Sequence, residues 1–197
     1  MKHSIIFIAF IVMGLQLGTA QGDDNSTTDL RFGVFGGVNF SQWNGDVADD
    51  NTFRTGFHIG GIIQTTITEA VSLQLEPQFS MEGYTGANGT AVRANFINIP
   101  AMVRLYSTED LSVEAGPKLK IRASEKSENF DGEVRKTERV KTLWFGIVAG
   151  ASYFFDDSIA ARFRFSYTPS DIIRIDAGDT EGTSGILFQL GLAYMFN

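Results

Sequence analysis

At 197 residues, 43 % hydrophobic and 20 % charged, the chain has the length of one domain and the composition of an ordinary folded protein. A formal charge of −7 argues against a nucleic-acid partner, and the absence of cysteine removes disulfide frameworks and thiolate metal chemistry.

The first 20 residues differ from the rest. Met1, Lys2 and His3 make a short basic start, Ser4 to Leu15 is an apolar run, and Gly18-Thr19-Ala20 places small residues where a signal peptidase reads. The run is shorter than the roughly 20 residues of a spanning helix, so residues 1–20 are expected to be a signal peptide cleaved after Ala20. No cysteine follows to carry a lipid anchor. Gln21 to Asp29 is polar and is expected to be a disordered lead-in.

From Leu30 onward, eight stretches alternate apolar and polar at period 2, the mark of strands with two unlike faces. In the first, Leu30, Phe32, Val34, Val38 and Phe40 oppose Arg31, Gly33, Phe35, Gly37 and Asn39. In the second, Phe57, Ile59, Ile63 and Ile67 oppose Arg54, Gly56, His58, Gly60 and Gln64. The third is the cleanest, with Val71, Leu73, Leu75, Pro77, Phe79 and Met81 against Ser72, Gln74, Glu76, Gln78, Ser80 and Glu82. The fourth covers Ile97 to Leu105, with Arg104 on its polar side.

Leu111 to Arg122, the fifth, sets Glu114, Lys118, Lys120 and Arg122 opposite an uncharged face. Leu143 to Tyr153 and Ile159 to Thr168 follow, the latter with Arg162 and Arg164 on one side and Phe163, Phe165 and Tyr167 on the other. Gly185 to Phe196 is the last. None of the apolar faces carries a charge.

The connections alternate in length. Thr68 to Ala70, Ser107 to Asp110 and Phe155 to Ser158 are tight and polar, whereas Ser41 to Phe53, Gly83 to Arg93, Ala123 to Lys141 and Pro169 to Thr183 are long. Long loops at one end and short turns at the other are the pattern of a transmembrane barrel with periplasmic turns. The predicted fold is therefore all-β, an eight-stranded antiparallel up-and-down transmembrane β-barrel over residues 30–197, in the outer membrane of a Gram-negative bacterium.

Alternation does not say which face is inside, and a soluble barrel would put the apolar faces inward. Three features favour the inverse. Glycines on the polar faces of the first, second and sixth strands complement long side chains on the third, fifth and seventh, as a narrow interior requires. Tyr106, Phe154, Phe155, Tyr194 and Phe196 gather near the short turns, where an aromatic girdle would sit. Finally, an alternating strand ending at Phe196 resembles the signal read by the outer-membrane assembly machinery, with Asn197 slightly off pattern.

With the polar faces inward, Glu76, Arg104, Glu114, Lys118, Arg162 and Arg164 are the candidate lumen ion-pair network, since a confined charge needs a partner. The turn at Ser107 to Asp110 implies a hairpin, one register of which, compatible with the faces, puts Arg104 opposite Glu114, and the analogous count sets Arg162 and Arg164 against Ser152 and Gly150. An eight-strand interior is just wide enough to be filled by such side chains.

Catalytic readings are weak. His58 is the only histidine after the leader and sits mid-strand, Glu76 and Glu82 are far apart along one face, and Gly33, Gly36 and Gly37 do not form a phosphate loop. The acids Asp46, Asp49, Asp50, Asp176, Asp179 and Glu181 fall in long loops without calcium-loop spacing. No enzyme activity, cofactor or metal is expected. The third long loop, Ser124 to Lys141, interleaves both charge signs around Phe130 and suits a contact with lipid headgroups or a protein.

Gly36-Gly37-Val38-Asn39-Phe40-Ser41, Leu73-Gln74-Leu75-Glu76-Pro77-Gln78, Ile97-Asn98-Ile99-Pro100 and Val113-Glu114-Ala115-Gly116-Pro117 occur in that order, closed by Phe188-Gln189-Leu190-Gly191-Leu192-Ala193-Tyr194. From about Phe32 to its end the chain resembles the PorT-like family of outer-membrane β-barrel domains. The resemblance implies the eight-stranded scaffold and its location, and no chemistry. The expected function is a non-enzymatic barrel serving envelope structure or interaction through its outer loops. The alternatives are a small channel or secretion-accessory barrel for anionic solutes and, third, a soluble periplasmic ligand-binding barrel. Expected partners are outer-membrane lipid and lipopolysaccharide, the assembly machinery through the C-terminal strand, and a protein at the outer loops.

Overall fold

The computed structural model describes residues 30–45, 52–85, 91–128, 134–136, 143–169 and 183–196, and the expected signal peptide and lead-in lie outside them. Among the described residues there are ten strands and no helix. β1 (Leu30–Gly45) pairs with β2 (Arg54–Thr68), which pairs in turn with β3 (Val71–Leu75) and β4 (Gln78–Thr85). β5 (Ala91–Tyr106) runs beside both, then beside β6 (Leu111–Glu128), on whose far end β7 (Val134–Lys136) is a short addition. β8 (Leu143–Phe154), β9 (Ile159–Thr168) and β10 (Thr183–Met195) complete the round, and β10 pairs back onto β1. With β3 and β4 as two halves of one stave, eight antiparallel staves form a closed barrel. Closure pairs each of the eight staves on both sides, the condition for a strand to lie in lipid.

The faces sort by burial. Glu76, Ser80 and Asn98 are 0 % exposed, whereas Ile147 at 62 % and Leu192 at 59 % stand on the outer surface. The polar faces therefore line the lumen, which overturns the soluble-barrel alternative with its apolar interior. Tyr153 and Phe155 (ring centroids 5.5 Å apart) and Tyr194 and Phe196 (5.6 Å) pair near the short-turn end.

That end is tied by local bonds. The Leu111 amide donates to Thr108 Oγ1 at 3.1 Å, and Asp156 Oδ1 accepts from the amides of Ser158 (2.8 Å) and Ile159 (2.7 Å). The Phe196 amide donates to the Phe32 carbonyl at 2.8 Å, so both ends of the barrel chain lie there.

β1, β4, β5 and β6 outrun their expected limits at the other end. β1 continues from Phe40 to Gly45 and draws Trp43 out of the expected loop into the wall. β6 has 18 residues, well past the roughly 9–11 that cross a bilayer, and climbs with β5 beyond a bulge at Asn95/Phe96. Val134–Lys136, expected within the third loop, pairs onto this extension.

The third expected strand, read as continuous, is interrupted at Glu76 and Pro77. Proline has no N–H to give a ladder. The wall is nevertheless stitched there: the Glu76 amide donates to the Pro100 carbonyl and the Gly61 amide to the Pro77 carbonyl, both at 3.0 Å. Higher on the same stave, Gly83 has a φ of 145°, which an L side chain rarely adopts. Its amide and carbonyl both engage Ser41 Oγ, at 2.9 and 2.8 Å.

Candidate functional site in the barrel lumen

Side chains fill the lumen in tiers. Lowest, at the short turns, Gln74 Nε2 donates to Gln64 Oε1 at 2.7 Å and Gln64 Nε2 donates to Tyr106 Oη at 3.1 Å. The Phe154 ring lies 5.4 Å beneath the Arg104 guanidinium. Tyr106 and Phe154, expected in the outer girdle, thus turn inward: each falls on the polar phase of its strand and closes the lumen. Phe35, Ile62, Ala193 and Met195 form an apolar cluster among the buried residues.

Above this floor lies the ionic tier. Arg162 Nη2 donates to both oxygens of Glu76, at 2.7 and 2.8 Å. Arg164 donates through Nη1 and Nη2 to the same carboxylate and through Nε to Glu114 Oε1 at 2.7 Å. Arg104 reaches the other oxygen of Glu114 through Nε (3.0 Å) and Nη2 (2.7 Å). Arg104 pairs in register with Glu114, and Arg164 with Gly150. A Cβ on Gly150 would stand 2.7 Å from Arg164 Cγ, so the glycine makes room for the arginine stem. All five charged side chains are buried. Removing one partner from such an arrangement leaves an uncompensated charge away from water.

Lys118, expected in this network, is not part of it. Its ammonium is buried in the lumen and has no hydrogen-bond partner among the described residues. The carboxylate on its side of the barrel, Glu82, is held by Lys120 Nζ at 2.5 Å, Asn98 Nδ2 at 3.0 Å and Ser80 Oγ at 2.9 Å. Lys120 was legible as an inward residue, but alternation cannot rank two lysines on one face against an acid from another strand.

Beside this pair, Asn39 organises a polar tier. Its Nδ2 donates to the carbonyls of Phe57 (3.0 Å) and Met81 (3.1 Å), while its Oδ1 meets Gln189 Nε2 at 3.0 Å and His58 Nδ1 at 2.7 Å. His58 is thus a wall residue anchored to an amide.

Near the long-loop end, Trp43, Phe96 and Trp144 surround the Lys120 ammonium, which lies 4.0 Å from the Phe96 centroid and 5.1 Å from that of Trp144. Tyr84 packs against Trp43 with centroids 5.7 Å apart. The sequence reading missed this aromatic seal. Trp144 and Phe96 lie in phase with polar neighbours, and that phase was the available signal.

Among the described residues no group of three His, Asp or Glu side chains is placed to hold a metal ion. Asp46, Asp49, Asp50, Asp176, Asp179 and Glu181 lie outside the described residues. The remaining lumen space includes a recess of about one water's size between His58, Arg162 and Gln189.

The model of the outer membrane protein β-barrel domain family matches residues 19–174. The chain belongs to this family. Such proteins reside in the outer membrane of Gram-negative bacteria. No curated protein matches the chain. Among solved structures, Neisserial surface protein A is similar with a TM-score of 0.60 at 12 % identity, covering 84 % of this chain and 97 % of its own. Ail, the attachment invasion locus protein of Yersinia pestis, crystallised with the heparin analogue sucrose octasulfate, is similar with a TM-score of 0.52 at 11 % identity, covering 85 % and 99 %. At these identities the likeness is one of fold, and the family's barrel carries this chain's own lumen.

Proposed function

We propose that the protein is a non-enzymatic outer-membrane barrel whose lumen is a structural plug and whose long-loop end meets its partners. The observation that carries this reading is the pair of guanidinium arms, Arg162 and Arg164, that cross to Glu76 and occupy the lumen's middle. A conducting pore needs a continuous water path, and here the ionic tier and the aromatic seal stand in series. Within the family we place the chain with the PorT-like domains on the motifs around Gly36, Leu73, Ile97, Val113 and Phe188. We carry over no secretion role.

In this reading the signal peptide delivers the chain to the periplasm, the assembly machinery takes up the β10 strand, and outer-leaflet lipid and lipopolysaccharide surround the barrel. A protein partner at the long loops belongs to the same proposal. The test is single-channel recording in planar bilayers, with folding checked by the faster gel migration of unheated sample. A folded protein that stays silent fits the plug; stable anion-selective openings would establish the channel instead.

A further inference from the structure

The lumen holds more positive than negative charge. Among the described buried side chains, Arg104, Lys118, Lys120, Arg162 and Arg164 face only Glu76, Glu82 and Glu114. Lys120 and Glu82 cancel as a pair. In the ionic tier three guanidinium groups, of Arg104, Arg162 and Arg164, share the two carboxylates of Glu76 and Glu114, so one positive charge is left over. Such a surplus is costly away from water, where charge is weakly screened.

The hydrogen bonds show where the surplus sits. Arg104 and Arg164 reach carboxylate oxygens through Nε as well as Nη2. Arg162 engages Glu76 through Nη2 alone. Its Nε and Nη1 have no hydrogen-bond partner among the described residues, although the residue is only 6 % exposed. Its guanidinium lies 4.5 Å from the Phe35 ring centroid, and both side chains border the water-sized recess, together with Arg164, His58 and Gln189. Among the described residues no carboxylate borders it. His58 directs Nδ1 to Asn39 and, neutral or protonated, adds no negative charge. Gln189 spends its amide N–H groups on Asn39 and Gln78.

A recess with two guanidinium groups on its wall, unused donors and no acid favours an anion over water. Water would satisfy the donors but leave the charge. The dimensions are equally selective. Space for about one water takes a monatomic ion, and a tetrahedral oxyanion such as phosphate or sulfate does not fit. We infer that Arg162 and Arg164, with the wall of Phe35, His58 and Gln189, form a buried site for one halide ion, chloride in ordinary salt, which balances the ionic tier. The ion is a structural counter-ion, and the site stands whether or not the barrel conducts.

The experiment refolds the full chain from chloride-free urea into dodecyl maltoside micelles, so that the ion can enter before the barrel closes. Thermal unfolding, followed by circular dichroism, is compared in sodium gluconate, sulfate, chloride and bromide at one ionic strength. Chloride and bromide should raise the midpoint along a saturating curve while gluconate and sulfate do not, which separates binding from screening. Arg162→Gln leaves two cations and two carboxylates in the tier and should lose the halide-dependent rise. Lys118→Met removes a cation outside the recess and should keep it. Equal midpoints in gluconate and chloride overturn the inference. So does a rise that survives in Arg162→Gln or disappears in Lys118→Met, since the halide would then answer to something other than the recess. Should Arg162→Gln not fold, crystals of the unaltered chain grown in bromide decide the matter. An anomalous peak beside Arg162 supports the site, and the absence of one there overturns it.

Discussion

Glu76 accepts from Arg162 and Arg164, whose strand lies four staves away in either direction around the barrel. Such a carboxylate is held on both oxygens, and so is Glu114 between Arg104 and Arg164. Glu114→Ala should therefore destabilise the barrel by about 3–5 kcal/mol, read from urea unfolding in micelles, because it leaves buried guanidinium groups uncompensated. The two lysines should behave oppositely. Lys120→Met strips Glu82 of its ammonium and should lower the unfolding midpoint. Lys118→Met removes a buried cation that has no hydrogen-bond partner among the described residues and should leave the midpoint unchanged or raise it. The same pair marks a limit of sequence reading. Arg104 opposite Glu114 is one of the few registers that a tight turn between neighbouring strands and the face assignment allow, and it is the one observed. The choice between Lys118 and Lys120 depends on how β4 and β6 meet across the lumen, which barrel stagger sets and local pattern does not contain.

At the scale of the strand, alternation was informative wherever one face met lipid and the other met packed polar groups. β9 shows it clearly: Phe163 is 46 % exposed between buried Arg162 and Arg164. Phe163→Arg should cost about 2–4 kcal/mol in lipid-reconstituted unfolding, as a mid-bilayer charge does. Strand ends were less legible. Gln42-Trp43-Asn44-Gly45 is composed like a loop, yet β10 supplies a ladder partner as far as Gly45, and pairing decides against composition. The break at Glu76-Pro77 was hidden for the opposite reason. Pro77 keeps the alternating phase, and only its missing N–H ends β3 before it and starts β4 after it.

Taken as a whole molecule, the barrel has two closures in its lumen, the aromatic seal of Trp43, Phe96 and Trp144 and the ionic tier below it. Barriers in series predict a distinctive mutational logic. Trp43→Ala/Trp144→Ala should remain silent in planar bilayers, and so should Glu76→Ala alone. Openings are expected only when both tiers are emptied, and a conducting single-tier variant would show that one of them is not a barrier.

The cross-lumen arms also constrain how the protein is made. Glu76 is separated from Arg162 by 86 residues and from Arg164 by 88, so these bonds wait for nearly the whole chain. Until β10 meets β1, the three carboxylates and five cations of the interior have no enclosure. An open sheet entering the bilayer would drag them through hydrocarbon. Insertion and closure must therefore advance together, and a chain stalled before its last strand would be held at the membrane surface by its own interior.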